Sequence, residues 1–168
     1  MGTIKNLSQE GVKNALSYDP ATGEFRWRQN RGTKMKAGSL AGSEDRLGYR
    51  RILVDGNMAQ AHRLAWLYMT GKWPPMEIDH ADGNPRNNAW NNLRLATRSQ
   101  NMWNSGPHKN NSVGVKGVSW SRQRKKYVAR ITVNGNKIFL GRFDVFEAAC
   151  AAYNEMAKKF HGDFMKSP

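Results

Sequence analysis

Cysteine is nearly absent from this sequence of 168 residues, which contains only Cys150. An internal disulfide and a zinc site made of several cysteines are therefore excluded, and a single thiol fits a reducing, intracellular compartment. Long apolar runs are missing too, because no stretch approaches the roughly 18 residues that a membrane-spanning helix needs. The first six residues lack the apolar stretch of a secretory signal. We therefore expect a cytoplasmic protein without a membrane partner.

Acidic residues are few: 13 Asp and Glu stand against 27 Lys and Arg, which gives a formal net charge of +14. Residues 83–143 contain twelve Lys and Arg and no acid, whereas a soluble surface ordinarily mixes both signs. A phosphate backbone would neutralise such a stretch and release its counterions. The charge therefore predicts a nucleic acid as partner, and a solvated basic face without function is the alternative.

Local patterns in the first part of the chain predict short helices and strands. Residues 7–17 have the spacing of an amphipathic helix with Ser8 as its cap, and a turn at residues 19–23 precedes an alternating strand at 24–28. Residues 29–47 predict a loop with a short strand near Ala41. The pair Asp55-Gly56 between two apolar runs predicts a tight hairpin. Residues 62–70 predict a helix that stops at Gly71.

The middle of the chain predicts a strand, a loop, a second strand and a helix in quick succession. The strands are expected at residues 77–80 and 93–96, on either side of a loop rich in asparagine. Thr97 and Gln100 have the spacing of a capping box, so a helix is expected over residues 98–104, with Asn101 on its first turn.

Asp79, His80 and Asn101 are the candidate catalytic residues of this segment. Histidine titrates near neutrality and can take a proton from water. Oxygen ligands suit Mg²⁺, which can neutralise a phosphate and a leaving oxygen. Asp79 and His80 are neighbours on a strand, so their side chains point to opposite faces unless the strand ends there. His62 either contacts a phosphate or packs at the start of its helix.

This segment resembles the HNH endonuclease motif, in its phage and intron homing branch. The matching pieces are residues 62–64, 78–84 and 91–94, and Thr97 followed by Asn101. The resemblance implies a ββα-metal finger in which Asp79 and Asn101 bind one metal ion, His80 activates water and Asn92 holds the loop so that His80 is oriented. The last position of the motif is Asn101 rather than histidine, which favours Mg²⁺ or Mn²⁺ over zinc. A cytoplasm of a bacterial or phage-infected cell is the implied location.

After a linker-like stretch at residues 105–114, the pattern changes to three strands and a helix. Strands are expected at residues 117–120, 126–133 and 137–143, with Asn134-Gly135 as a hairpin turn. Asp144 is expected to cap a helix of about sixteen residues. The apolar positions of this helix are Phe146, Ala149, Cys150, Tyr153, Met156, Ala157 and Phe160.

Residues 113–164 resemble the plant ethylene-response-factor (Apetala-two) DNA-binding domain, through residues 115–120, 126–131, 138–143, 147–153 and 162–164. The resemblance implies a three-stranded sheet that packs on one helix and lays its exposed face in the major groove of DNA. On the second strand, the apolar set that begins with Tyr127 should face the helix, and the set that begins with Lys126 should face outward. By position, the expected DNA contacts are Lys116, Ser119, Trp120, Arg122, Arg124, Lys126, Arg130, Lys137, Phe139 and Arg142.

The expected fold class is α+β: a ββα-metal HNH finger plus a three-stranded antiparallel sheet on one helix. The expected organisation is an N-terminal helix with hairpins at residues 1–60, the nuclease motif at 61–104, the linker at 105–114 and the DNA-binding domain at 115–165. The chain is interpreted as a metal-dependent endonuclease, of homing type, that acts on double-stranded DNA as a monomer rather than an obligate dimer. The alternatives are a non-catalytic DNA-binding regulator with a vestigial finger, and an RNA-binding protein.

Overall fold

The computed structural model describes residues 7–33, 35–107, 110–133 and 135–165. Over these residues it contains four α-helices and ten strands, which form four small antiparallel sheets. The chain divides into two compact units, Met1–Thr97 and Arg98–Pro168. This mixture of helices and separate antiparallel sheets confirms the α+β class. None of the described helices has the length and apolarity to cross a membrane.

The first unit opens with helix α1, Gln9–Ala15, whose Ser8 hydroxyl accepts a hydrogen bond from the amide of Gly11 at 3.1 Å. The helix is shorter than the apolar spacing predicted. Strand β1, Leu16–Tyr18, follows at once and pairs antiparallel with β2, Phe25–Trp27. The backbone of residues 16–18 forms hydrogen bonds with β2 instead of continuing the helix. This pairing cannot be predicted from a local helical pattern.

The next elements form a three-stranded sheet and the second helix. Strands β3, Ser43–Glu44, β4, Arg50–Val54, and β5, Asn57–Gln60, lie in the order β3-β4-β5. The predicted hairpin is confirmed, since Asp55 and Gly56 have φ angles of 48° and 77° between paired Val54 and Asn57. Helix α2, Ala61–Thr70, stops at Gly71 as predicted, and Gly71 adopts the left-handed conformation.

Strands β6, Glu77–His80, and β7, Leu93–Ala96, pair antiparallel at the predicted positions. A single 3₁₀ turn at Trp90–Asn92 precedes β7. One continuous core joins α1, β1, β2, β4, α2, β6 and β7, and its members include Leu16, Phe25, Leu64, Ile78 and Leu93. The strands that carry the candidate site are therefore packed on the N-terminal elements.

The second unit begins with α3, Arg98–Asn104, at the predicted residues. Its sheet has the order β10-β9-β8 and is formed by β8, Val118–Ser121, β9, Lys126–Val133, and β10, Asn136–Phe143. A bulge interrupts the pairing of β10 between Phe139 and Gly141. Helix α4, Phe146–His161, and a 3₁₀ turn, Gly162–Phe164, close the unit. The predicted turn residue Asn134 lies outside the described residues.

The sheet packs one face on α4, as the alternation along β9 predicted. Ala129 and Ile131 of β9 form a buried cluster with Ala149, Tyr153 and Ala157 of α4, while Arg130 and Thr132 are exposed. Val128 differs from the prediction, because it is buried although it belongs to the outward set. It lies on the central strand between Ser119 and Arg142, whose side chains flank it on both sides.

Two predictions for α4 were wrong. Asp144 does not cap the helix; its carboxylate pairs with the Lys126 ammonium at 2.9 Å, and Val145 precedes the first turn. Phe160 is 38% exposed, and His161 is buried in the last turn instead. The His161 ring stacks on Trp103 with centroids 4.4 Å apart, and its Nε2 lies 3.3 Å from the Thr132 carbonyl oxygen. These contacts stabilise the buried position of His161, which hydropathy alone would place at the surface.

Candidate active site and nucleic-acid interface

Asp79 and His80 stand at the end of β6, and both are buried, with 3% and 6% of their surface exposed. Asp79 pairs with Arg94 across the two strands, so that the Arg94 guanidinium lies 2.8 Å from the carboxylate Oδ2. This ion pair compensates the cost of burying the carboxylate. The Asp79 carboxylate is therefore held in place by a residue of the neighbouring strand.

His80 is oriented by Asn88, a residue that sequence analysis did not single out. The Asn88 amide nitrogen donates to the carbonyl oxygen of Arg86 at 3.2 Å, so its side-chain oxygen is the atom that lies 3.2 Å from Nε2 of His80. An amide oxygen can only accept, and Nε2 must therefore carry the proton of the neutral ring. The lone pair of the neutral His80 ring then resides on Nδ1.

Burial lowers the pKa of His80 below its ordinary value, although the hydrogen bond to Asn88 and the carboxylates of Asp82 and Asp79 act in the opposite direction. The ring is therefore neutral near pH 7, which is the state that a general base requires.

Two further rings enclose His80. The His62 ring meets it edge to face with centroids 5.1 Å apart, and the Tyr49 ring lies 6.0 Å away. Burial, reinforced by His80 and Arg63, lowers the pKa of His62 to about 3. Of the two alternatives for His62, the structure supports the packed one, because the ring is buried at the first turn of α2.

Asn92 holds the loop between β6 and β7 closed. Its amide nitrogen donates to Asp82 Oδ1 at 3.0 Å and to the Asn87 carbonyl oxygen at 2.8 Å, while its side-chain oxygen accepts from the Asp82 amide at 3.0 Å. Asp82 also accepts from the Asn87 side chain at 2.8 Å. Asn92 thus acts on the loop, and Asn88 is the loop residue that touches the histidine.

The chemistry of the donors fits a hard divalent cation. Asp79 offers a carboxylate and Asn101, on α3 of the second unit, offers an amide oxygen. Across residues 7–33, 35–107, 110–133 and 135–165 no group of three or more His, Cys, Asp or Glu could hold a metal. Mg²⁺ needs no such group, since it commonly keeps several waters and binds one or two protein ligands plus phosphate. The shared metal of Asp79 and Asn101 stays a prediction.

The β8–β10 sheet presents a basic face away from α4. Cross-strand partners share a face of a sheet, so the register places together Ser119, Lys126, Arg130, Lys137, Phe139 and Arg142. The Arg142 guanidinium lies over the Phe139 ring at 5.1 Å. Arg122 and Arg124 are exposed in the turn between β8 and β9, where Lys125 has a φ of 50° and Ser121 pairs with Lys126.

Two of the expected contacts are placed differently. Trp120 pairs with Tyr127, whose ring it meets at 4.7 Å, and Tyr127 packs toward Phe146 of α4. Trp120 therefore belongs to the helix-side face, at its edge. The Lys116 ammonium donates to the carbonyl oxygens of Met102, Trp103 and Ser105, the last two at 2.9 Å. It neutralises the carbonyl end of α3, where a cation is favourable.

Comparisons with known proteins bear on the β6–β7–α3 segment directly. The family model of an HNH endonuclease matches residues 59–103, which include Asp79, His80, Asn92 and Asn101. Protein 3.8 of Escherichia phage T7 is 36% identical over 106 residues, which are 62% of this chain and 87% of the phage protein. The chain belongs to the HNH endonuclease family.

Other members and structures are similar over different lengths. The HNH endonuclease L560 of Acanthamoeba polyphaga mimivirus is 36% identical over 115 residues, which are 67% of this chain and 59% of that protein. A solved structure of the HNH homing endonuclease I-HmuI, described as showing DNA binding and cleavage, has 24% identity and a TM-score of 0.44 and covers 92% of this chain and 90% of that chain. The HNH match ends at residue 103, so the Apetala-two resemblance of residues 113–164 stays a prediction.

Proposed function

We propose that this HNH family member is a metal-dependent endonuclease that hydrolyses phosphodiester bonds in double-stranded DNA. The observation that carries the proposal is the buried His80 next to Asp79 at the end of β6, with the Asn88 side-chain oxygen 3.2 Å from its Nε2. A neutral imidazole with Nε2–H directed at Asn88 leaves Nδ1 as the basic nitrogen, which is the group that general-base catalysis requires.

In this mechanism Nδ1 of His80 takes a proton from the attacking water, and Asn88 stabilises the ring as it becomes charged. Asp79 and Asn101 would hold one Mg²⁺ or Mn²⁺ ion. When bound, such an ion supplies charge neutralisation at the phosphate and at the leaving 3′ oxygen. Asn92 keeps the loop, and so the Asn88 side chain, in place.

The outward face of the β8–β10 sheet would hold the duplex. Arg130, Lys137 and Arg142 supply positive charge for phosphates or guanine edges, and Phe139 supplies an exposed ring for a sugar or base. Lys126 shares this face, but its ammonium is engaged by Asp144. Arg122 and Arg124 would reach the backbone from the neighbouring turn. The homing role stays a prediction drawn from the sequence motif.

The test is cleavage of supercoiled plasmid and of phage DNA with Mg²⁺ by the full chain and by His80→Ala. We expect metal-dependent nicking or linearisation that His80→Ala abolishes while duplex binding is retained. His108→Ala, a histidine to which the sequence assigns no role, is the matched substitution and should cleave like the wild type. The ratio of nicked to linear product reports whether a monomer cuts one strand at a time.

The two alternatives give different results in the same assay. A non-catalytic regulator would bind duplex DNA tightly and cleave with neither Mg²⁺ nor Mn²⁺. An RNA-binding protein would prefer RNA over the duplex in competition. Either result would overturn the endonuclease proposal.

A further inference from the structure

Asn88 is held from outside its own loop by the N-terminal hairpin. The Tyr18 hydroxyl donates to the backbone carbonyl oxygen of Asn88 at 2.7 Å, across 70 residues of sequence. Both residues are buried, Tyr18 to 7% and Asn88 to 2% exposure. Burial raises the pKa of Tyr18, so its hydroxyl remains a donor at every pH at which the protein would work. This bond joins β1 directly to the residue that touches His80.

The turn that follows β1 packs against the peptide between Asn88 and Ala89 from a second side. Gly23 has a φ of 76°, and a Cβ added to it would lie 2.1 Å from the carbonyl carbon of Asn88 and 2.3 Å from the amide nitrogen of Ala89. The Pro20 carbonyl oxygen accepts a hydrogen bond from the Trp90 amide at 2.8 Å. Only glycine permits this approach, so the hairpin leaves the Asn88 peptide no room to shift.

Fixing the Asn88 peptide also fixes the direction of its side chain. The Asn88 amide group reaches both the Arg86 carbonyl and His80 Nε2 at 3.2 Å, which leaves little tolerance for movement of its backbone. Tyr18 also stacks on Phe25 at 4.7 Å, as an ordinary core residue would. Its hydroxyl bond, however, contributes nothing to that stacking and serves the Asn88 peptide alone.

We propose that Tyr18 is a positioning residue for the reaction, acting through Asn88 to hold His80 in the tautomer with its lone pair on Nδ1. The effect of Tyr18 on the reaction rests on the proposed function. Its effect on the tautomer of His80 does not depend on that function. The N-terminal hairpin, which lies outside the segment matched by the HNH family model, thereby becomes part of the catalytic apparatus.

The test compares Tyr18→Phe with Tyr68→Phe in the full chain. Tyr68 belongs to the same aromatic cluster, with its ring 5.6 Å from that of Tyr18, so it reports the general effect of removing a hydroxyl there. Long-range ¹H–¹⁵N spectra at pH 8 distinguish the protonated from the unprotonated nitrogen of the neutral His80 ring. We expect Nε2–H in the wild type and in Tyr68→Phe, and a mixture of tautomers in Tyr18→Phe.

Cleavage kinetics supply the second readout. Loss of one neutral hydrogen bond corresponds to a decrease in kcat of about fivefold for Tyr18→Phe, with KM for DNA unchanged. An unaltered tautomer in Tyr18→Phe, or the same mixture in Tyr68→Phe, would overturn the proposal. If the wild type does not cleave DNA, the spectra still show whether Tyr18 positions His80. Failure of the positioning role can therefore be distinguished from failure of the proposed function.

A double-mutant cycle tests the route through Asn88. Asn88→Ala removes the amide that touches His80 but keeps the carbonyl that Tyr18 holds. On that background, Tyr18→Phe should change neither the tautomer nor kcat any further. A second fivefold loss in the double variant would show that Tyr18 acts by another path and would overturn the proposal.

Discussion

Acid should destabilise the first unit through His62 in a way that a single substitution can isolate. His62 is buried against His80 and Tyr49, and burial lowers its pKa from an ordinary 6.5 to about 3. The unfolded chain therefore binds one more proton than the folded chain at any pH between these two values. The contribution of His62 to stability is fully present above pH 6.5 and is lost as the pH falls from 6.5 toward 3.

The magnitude follows from the size of this window. Well inside this window each pH unit costs about 1.4 kcal/mol of unfolding free energy. Since the unfolded histidine is half protonated at pH 6.5, the loss between pH 6.5 and 4.5 is about 2.3 kcal/mol. This is a large part of the stability of an ordinary domain. Other groups also titrate in this range, and His80 and His161 have lowered pKa values as well. The contribution of His62 to the pH dependence of the unfolding free energy must therefore be obtained by comparing the wild type with variants of His62.

The assay is urea unfolding of the full chain at several pH values between 7 and 4.5, followed through the NMR signals of the α2 amides. These signals report on the unit that contains His62. The variants His62→Gln and His62→Phe cannot titrate, whatever they cost in stability at pH 7. Both should lose about 1.4 kcal/mol per pH unit less than the wild type. Equal slopes in wild type and variants would refute the reasoning, since His62 would then be protonated in the folded protein or exposed to solvent.

Three further predictions concern the base, the loop and the sheet. The acid limb of the pH–rate profile of cleavage should have its midpoint below 6.5, because burial lowers the pKa of His80; a midpoint at or above that value would contradict it. Asn92→Ala removes three hydrogen bonds of the β6–β7 loop and should lower the unfolding free energy by about 2–3 kcal/mol in urea. Arg130→Ala should weaken duplex binding and reduce the slope of log Kd against log salt by about 0.9. Lys158→Ala, an exposed cation on α4, is the control for Arg130 and should leave that slope unchanged.

Much of the fold could be read from the sequence because the signals were local. The Asp55-Gly56 hairpin, the stop at Gly71 and the start of α3 after Thr97 depend on residues within a few positions of one another. The strand pair β6–β7 was predicted from two short segments on either side of a turn and an asparagine-rich loop. Failures came where a distant partner decided the outcome. Leu16–Tyr18 leaves the helix because β2 pairs with it, and Asp144 is drawn to Lys126 rather than to a helix amide.

The site shows the same division between local and distant signals. Asp79, His80, Asn92 and Asn101 were selected as candidates because the motif fixes their spacing, and their roles stay a prediction. Asn88 was missed because it is one of several asparagines in a polar loop, and the sequence does not indicate which of them is buried. The hydrogen bond between Tyr18 and Asn88 could not be predicted either, because its two ends are 70 residues apart in the sequence.

The geometry of His80 depends on residues outside the candidate catalytic set of Asp79, His80, Asn92 and Asn101. The Asn88 side-chain oxygen faces Nε2, the His62 and Tyr49 rings pack against the imidazole, and Tyr18 and Gly23 lie against the peptide of Asn88. The motif supplies the candidate reactive groups, whereas Tyr18, Gly23 and Tyr49, which precede it in the chain, contribute to the packing around His80 and Asn88. Because the core of β6 and β7 is continuous with α1, β1, β2 and α2, a fragment limited to residues 61–104 would retain the motif and lose that environment. The base should therefore be judged by its protonation and tautomer in the full chain, and a fragment that fails to cleave would say nothing against the proposed chemistry.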